Sequence, residues 1–349
     1  MSLVLTRMQN LRSVADFDKN EYRMSRYGAH TLFQIQTGGP GSIVTPDLLQ
    51  KALDSSGRVL EIPVIDYNAP ANISNVRSIT IADDENTSRM LQFTFVTVSF
   101  GFTVVPDLYR NNEIGAQQDF NTKMTKYLYQ IAANQDSAAL AALELAKTQV
   151  LLDDLGGKYS LTADTLKAPI ELQDELIGDL NPIQHGNDFY GPMTIVAGNS
   201  LDSLVRNRLL EKGTFNTDDK TYQYNDKAFL FTNRLVNGVG VKATGFAVAG
   251  SQCGLLTRLE RASMAGRVSS TGHVWSRTVL PIINMPCGTY YYESVGDFSG
   301  IAGAASADMV RVMKEHYGFA YDYAYVTAYN SDDATIPSPI LKFEIDQAV

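Results

Sequence analysis

The chain has 349 residues, 44% hydrophobic and 19% charged, so it can bury a sizeable core and is not disordered by composition. A formal net charge of −9 argues against a protein whose main task is gripping nucleic-acid phosphates. The two cysteines, Cys253 and Cys287, form neither a metal-type spacing nor a disulfide framework, and no apolar run reaches membrane-spanning length.

Residues 1–30 carry Arg7, Arg12, Lys19, Arg23 and Arg26 against Asp16, Asp18 and Glu21, among scattered apolar residues. This mixture breaks any secretory leader and reads as a short helix or an arm lying on something else. "TGGPGS" (37–42) is a break. "TPDLLQKALDSSG" (45–57) predicts a helix with Thr45 as N-cap, Pro46 in first position and Gly57 as stop.

From 58 to 106 the pattern is strand, with a charged turn, "ADDENTS", inside it. "MLQFTFVTVSFGFTVVP" (90–106) reads as one long strand. Leu91, Phe93 and Phe95 share one face, whereas Val96, Val98, Phe100, Phe102 and Val104 take the other. The slip at Phe95–Val96 predicts a bulge or a switch of buried face. Such a strand spans roughly 50 Å at about 3.3 Å per residue. The next long element, 116–155, contains no Gly and no Pro. Phe120, Met124, Leu128 and Ile131, then Ala139, Leu143, Ala146 and Val150, recur at helical spacing. One helix of about 60 Å is expected, stopped by Gly156–Gly157. A body of about 250 residues is only roughly 45–50 Å across, so both elements cross it or project from it.

Beyond 157 the pattern is ordinary α+β. "MTIVAG" (193–198) is a buried strand, and "SLDSLVRNRLLEKG" a helix with Ser200 as N-cap and Gly213 as stop. "KAFLFTNRLV", "VKATGFAVAG" and "ILKFEID" are strands, and 273–300 mixes strand with turns. "SADMVRVMKEHYG" (306–318) predicts a helix. "FAYDYAYVTAYNS" alternates, with Phe319, Tyr321, Tyr323, Tyr325, Thr327 and Tyr329 on one side.

Local motifs name no reaction, cofactor, metal or catalytic residue. Cys253 with His273 or His185 is a conceivable hydrolase arrangement, but a buried cysteine and a loop histidine are the commoner fates. The acidic clusters Asp83–Asp84–Glu85, Asp153–Asp154, Asp218–Asp219 and Asp332–Asp333 lack calcium-loop spacing. The tyrosine ladder offers a stacking platform for bases, or more commonly a sheet face packed on a helix.

In order and character the chain resembles the major capsid protein of tailed bacteriophages, the Hong Kong 97-like fold. The resemblance rests on the arm, the overlong strand, the long helix, "MTIVAGNSLDSLVRNRLLEKG", "FAVAGSQCGLLTR", "LPIINMPCGTYYYESVGD" and "FAYDYAYVTAYNS". It covers nearly the whole chain without an invariant motif. It implies an α+β fold divided into an N-terminal arm (1–30), a linker and short helix (31–57) and an extended β-hairpin loop (58–110). A peripheral domain with the spine helix (111–160 and 271–349) and an axial domain (161–270) complete it. The implied function is self-assembly, as hexamers and pentamers, into an icosahedral virion shell around double-stranded DNA, built in the host cytoplasm. Implied partners are other copies, a portal, a separate scaffolding protein and a decoration protein, with no sequence-specific DNA contact and no membrane. The residues expected at contacts between copies are Phe93, Phe95, Val98, Phe100, Arg77 and Arg89 of the extended loop, and Leu5 and Arg12 of the arm. Some relatives cross-link neighbours through a loop lysine; here no Lys lies between Lys51 and Lys123, so no such cross-link is expected. An encapsulin-like compartment shares the fold and is the alternative container. A Cys/His hydrolase is the alternative of another class.

Overall fold

The computed structural model describes residues 3–14, 26–39, 41–54, 59–65, 88–109, 113–148, 155–187, 189–212, 222–224, 227–259, 266–268, 272–298, 310–327 and 337–347. Helix α1 (Leu3–Val14) makes the start of the arm amphipathic: Val4, Met8 and Leu11 fall on one side and are buried. Helix α2 (Gly28–Gln36) has seven of its nine residues buried. Helix α3 (Pro46–Asp54) begins as its sequence predicts, with Thr45 Oγ1 accepting the Leu48 N–H at 3.3 Å.

The long strand proves to be two. Strand β1 (Val59–Ile65) pairs antiparallel with β2 (Ser88–Thr94), Val59 opposite Thr94 and Ile65 opposite Ser88. The ladder breaks at Phe95, and β3 (Val96–Val104) joins another sheet. The slip read at Phe95–Val96 therefore marks a change of partner. A single-turn 3-10 helix (Pro106–Tyr109) then leads into α4 (Glu113–Ala146). Its 34 residues extend about 51 Å at 1.5 Å each. Phe120, Met124, Leu128, Ala139 and Leu143 form the buried stripe, as expected. The helix ends nine residues before the predicted 155. Lys147 leaves it to contact Glu144 and Thr165, and the Thr148 carbonyl accepts the Ser338 N–H, so tertiary partners replace the next helical bonds.

The remaining described α-helices and strands in chain order are β4 (Ser160–Thr162), β5 (Thr165–Ala168), α5 (Gln173–Gly186), β6 (Met193–Gly198), α6 (Asn199–Lys212), β7 (Tyr222–Tyr224), β8 (Lys227–Thr232), β9 (Val241–Ala249), β10 (Cys253–Arg258), β11 (Val274–Leu280), β12 (Met285–Phe298), β13 (Val310–Thr327) and β14 (Ile340–Asp346). They build two sheets. In the five-stranded one, β13 is bonded along one edge by β3 and along the other by β12 and then β10, with β11 outside β12. The seven-stranded one runs β4-β5-β14-β9-β6-β8-β7. Its β6–α6–β8 unit is a parallel crossover.

Two expectations need correction. Residues 310–318 are strand, not helix: β12 bonds this stretch throughout, β3 joins on the other edge from Glu315, and Glu315, Tyr317, Phe319, Tyr321 and Tyr323 alternate inward. Ladder bonds to β12 along the whole stretch, joined by β3 from Glu315, outweigh the local helical tendency of Val310, Val312 and Met313. His185 lies in the last turn of α5 rather than in a loop. Leu176, Ile177, Leu180 and Ile183 bury a helical stripe that carries the helix past Pro182. The strand memberships also cross the boundaries drawn from sequence. Strands β3 and β10 belong to the five-stranded sheet, and β14 to the seven-stranded one.

One hydrophobic cluster gathers the five-stranded sheet with α1, α2 and α4 and reaches Val196, Leu230, Phe246, Val248 and Ile340 of the seven-stranded sheet. Here Phe319 stacks on Phe100 at 4.9 Å, and Phe100 on Tyr127 of α4 at 5.3 Å. The ladder from Phe319 to Tyr325 is thus a packed sheet face, and Tyr329 lies outside the described residues. A second cluster joins α5 and α6 to the seven-stranded sheet. A third, small one sits under α3.

Candidate inter-subunit surface

The ribbon β1–β2 is bonded to no third strand among the described residues. Its root is anchored. Leu60 and Phe93, opposite each other on one face, pack on Val44, Leu48 and Ala52 near α3 and on Leu256, Ala324 and Val326. Gln92 donates to Glu61 across the ribbon at 2.7 Å. Around this root, Val59 is 48% and Val96 52% exposed. Apolar surface therefore stands in water where the ribbon leaves the body.

The contact residues expected from sequence divide. Phe93 is half-buried at the root. Phe95 is 3% exposed, enclosed by its own chain. Val98 and Phe100 stand in β3 and pack on the main core, not on the ribbon. The cause is the change of sheet at Phe95, which turns the following alternate residues toward α4. Arg89 occupies the β2 position opposite Val64, and Arg77 lies outside the described residues. The acidic clusters at 83–85, 153–154, 218–219 and 332–333 also lie outside them.

The arm helix docks on its own subunit. Arg7 is 1% exposed; its Nη2 lies 2.9 Å from Glu315 Oε2 and 3.3 Å from Glu113 Oε1. Tyr317 also donates to Glu315 Oε2, at 2.7 Å. Burial pushes the Glu315 carboxyl above its ordinary range, outweighing the pull of Arg7 and of the tyrosine. Leu5 and Arg12 are half-buried, and Arg12 Nη2 donates to the Val279 carbonyl.

A second ribbon stands where the sequence predicts the helix 306–318. Pairing of β12 with β11 stops at Tyr291, and that of β13 with β3 at Glu315. The pairs from Ser294–Lys314 to Phe298–Val310 are flanked by no other strand among the described residues. Val295 and Met313 face each other there, 64% and 36% exposed, and Ile114 at the start of α4 is 70% exposed. Period-two alternation of Val310, Val312 and Lys314 was the available signal, masked by an equally good helical spacing.

No protein-family model and no curated protein matches the chain. Solved structures similar in outline include the capsid of Cyanophage P-SCSP1u (10% identity, 85% of each chain, TM-score 0.43). The holo-SrpI encapsulin of Synechococcus elongatus is another (11%, 87% of this chain and 89% of that one, 0.38). So is the phage G structure of gp27 major capsid and gp26 decoration proteins (10%, 84% and 86%, 0.35). Identities this low assign no role to any residue of this chain.

Cys253, His185 and His273, weighed for chemistry, each make separate contacts. Cys253 is wholly buried, and burial pushes its thiol far above the ordinary range, away from the thiolate a nucleophile needs. His185 stacks on exposed Tyr190 at 4.9 Å, and His273 on Tyr292 at 4.6 Å. Among the described residues no helix is long and apolar enough to cross a membrane.

Proposed function

We propose that this chain is the major capsid protein of a tailed bacteriophage, with the Hong Kong 97-like fold, and that its copies close into an icosahedral shell around double-stranded DNA. One observation carries the reading: a two-stranded ribbon leaves a body stiffened by a 34-residue helix, with its root anchored and apolar residues exposed beside it. A two-stranded hairpin alone is marginal in water. A neighbouring copy that covers it supplies the missing burial, and each subunit contributes the same contact, as closed symmetry requires.

In this reading the five-stranded sheet with α4 is the peripheral domain, and the seven-stranded sheet with α5 and α6 is the axial domain. Phe93, Arg77 and Arg89 of the ribbon meet a neighbour, together with Leu5 and Arg12 of the arm. A portal, a separate scaffold and a decoration protein complete a virion assembled in the host cytoplasm. The acidic subunit suits a wall that does not hold its DNA tightly.

Electron microscopy of the concentrated protein tests this. Closed shells, or rings of five and six, are expected; a monomer under every assembly condition refutes it. Shortening the chain between Ile65 and Ser88 leaves a folded subunit that no longer assembles. Particles recovered from the native source contain DNA; a cargo enzyme in its place identifies an encapsulin-type container.

A further inference from the structure

The two sheets meet at α2. Its N-cap residue, Tyr27, makes no side-chain capping bond. The cap comes from the spine helix: Asp136, 0% exposed, accepts the His30 N–H at 3.1 Å through Oδ1 and the Thr232 hydroxyl through Oδ2. Arg234 Nη1 stands 3.9 Å from Oδ2, and its guanidinium covers the Tyr27 ring at 5.0 Å. Thr232 ends β8 of the seven-stranded sheet and forms a bridge with Tyr27. A Cβ at Gly28 would lie 2.7 Å from the Phe231 carbonyl, so α2 presses on β8 backbone with no spacer.

The same helix holds the other sheet. His30 Nδ1 is 2.8 Å from the Tyr325 hydroxyl of β13, and its Nε2 is 3.1 Å from the Ile283 carbonyl. Gln135, beside Asp136, reaches Tyr325 and Tyr321. At the far end Gln36 accepts the Cys253 N–H at 2.8 Å, and Thr37 Oγ1 accepts the Leu255 N–H at 2.8 Å. Gln36 also donates to the Ala249 carbonyl, so it spans the turn from β9 into β10.

Apolar packing alone would glue these layers but would let them slide. Directed, buried hydrogen bonds fix an orientation, and burying a carboxylate there has a desolvation cost that packing does not require. We propose that α2 and Asp136 form a pin that fixes the angle between the two sheets, and through it the curvature at which copies meet. The second clause rests on the shell reading; the first does not.

Spin labels at Ser99→Cys and Thr162→Cys, exposed positions on the two sheets, report the angle as a distance distribution in the single subunit. The parent gives one narrow peak. Asp136→Asn and Thr232→Val broaden or shift it while the circular dichroism spectrum is kept. An unchanged narrow peak in a folded variant overturns the pin. Thr232→Val deletes one hydroxyl, so it carries the measurement where Asp136→Asn does not fold. By electron microscopy the same variants give shells of altered or mixed diameter. Shells of parental diameter and uniformity, from variants whose distance peak has broadened, overturn the link to curvature. A parent that never assembles refutes the shell reading and leaves the distance result standing.

Discussion

Arg7→Met removes the one cation in the buried contact that docks α1, while keeping most of the side chain's apolar bulk. Glu315, 5% exposed, then has the Tyr317 hydroxyl but no guanidinium. Breaking a buried pair by deleting one partner costs about 3–5 kcal/mol. The cost is pH-dependent because Glu315 can escape by protonation. Its folded pKa already lies above the ordinary value, and loss of Arg7 raises it further. Between the unfolded and folded pKa values the native state holds the extra proton, so stability falls as pH rises through that window. The variant is therefore least stable, relative to the parent, at neutral and alkaline pH, and recovers as pH falls toward the carboxylate range. Adding Glu315→Gln removes the stranded charge and restores half or more of the loss. That recovery is large because Nε and Nη1 of Arg7 are buried without a hydrogen-bond partner among the described residues, so the native pair is imperfectly satisfied. Denaturant unfolding of the unassembled subunit reads all four corners of the cycle. The single tryptophan, Trp275 in β11, serves as probe. Additive single effects, or a loss equal at acid and neutral pH, would refute the reasoning.

Phe319→Ala removes a ring 1% exposed and stacked on Phe100, and loses about 3–5 kcal/mol in the same unfolding assay. Gly245→Ala places a Cβ 2.4 Å from the Phe343 ring between two buried strands, so overpacking costs about 1–3 kcal/mol and lowers the melting temperature. Both thiols stay silent to alkylating reagents in the native protein and react together on unfolding, because both are buried and Cys287 is pushed up to about 12. Labelling of either thiol in the folded chain would contradict that packing. Thr45→Ala costs about 1 kcal/mol by freeing the Leu48 N–H at the start of α3.

Much of the fold was legible because one-dimensional spacing reports one-sided burial. The spine stripe from Phe120 to Ala146, the cap at Thr45 and the strand 193–198 all behave as their periodicity predicts. The slip at Phe95 was visible too, although its meaning was not. A period-two pattern says which residues share a face, never which strand lies beside them.

The sequence by itself determined that this chain carries a long rod preceded by a strand-rich stretch and followed by mixed helix and strand, because those features follow from local periodicity. The tertiary structure alone decided that Val98 and Phe100 turn inward, that 310–318 is strand, and that Asp136 caps a helix 106 residues away. Each of these depends on a partner remote in sequence, and a hydrogen bond or packed ring across such a distance leaves no trace in neighbouring residues.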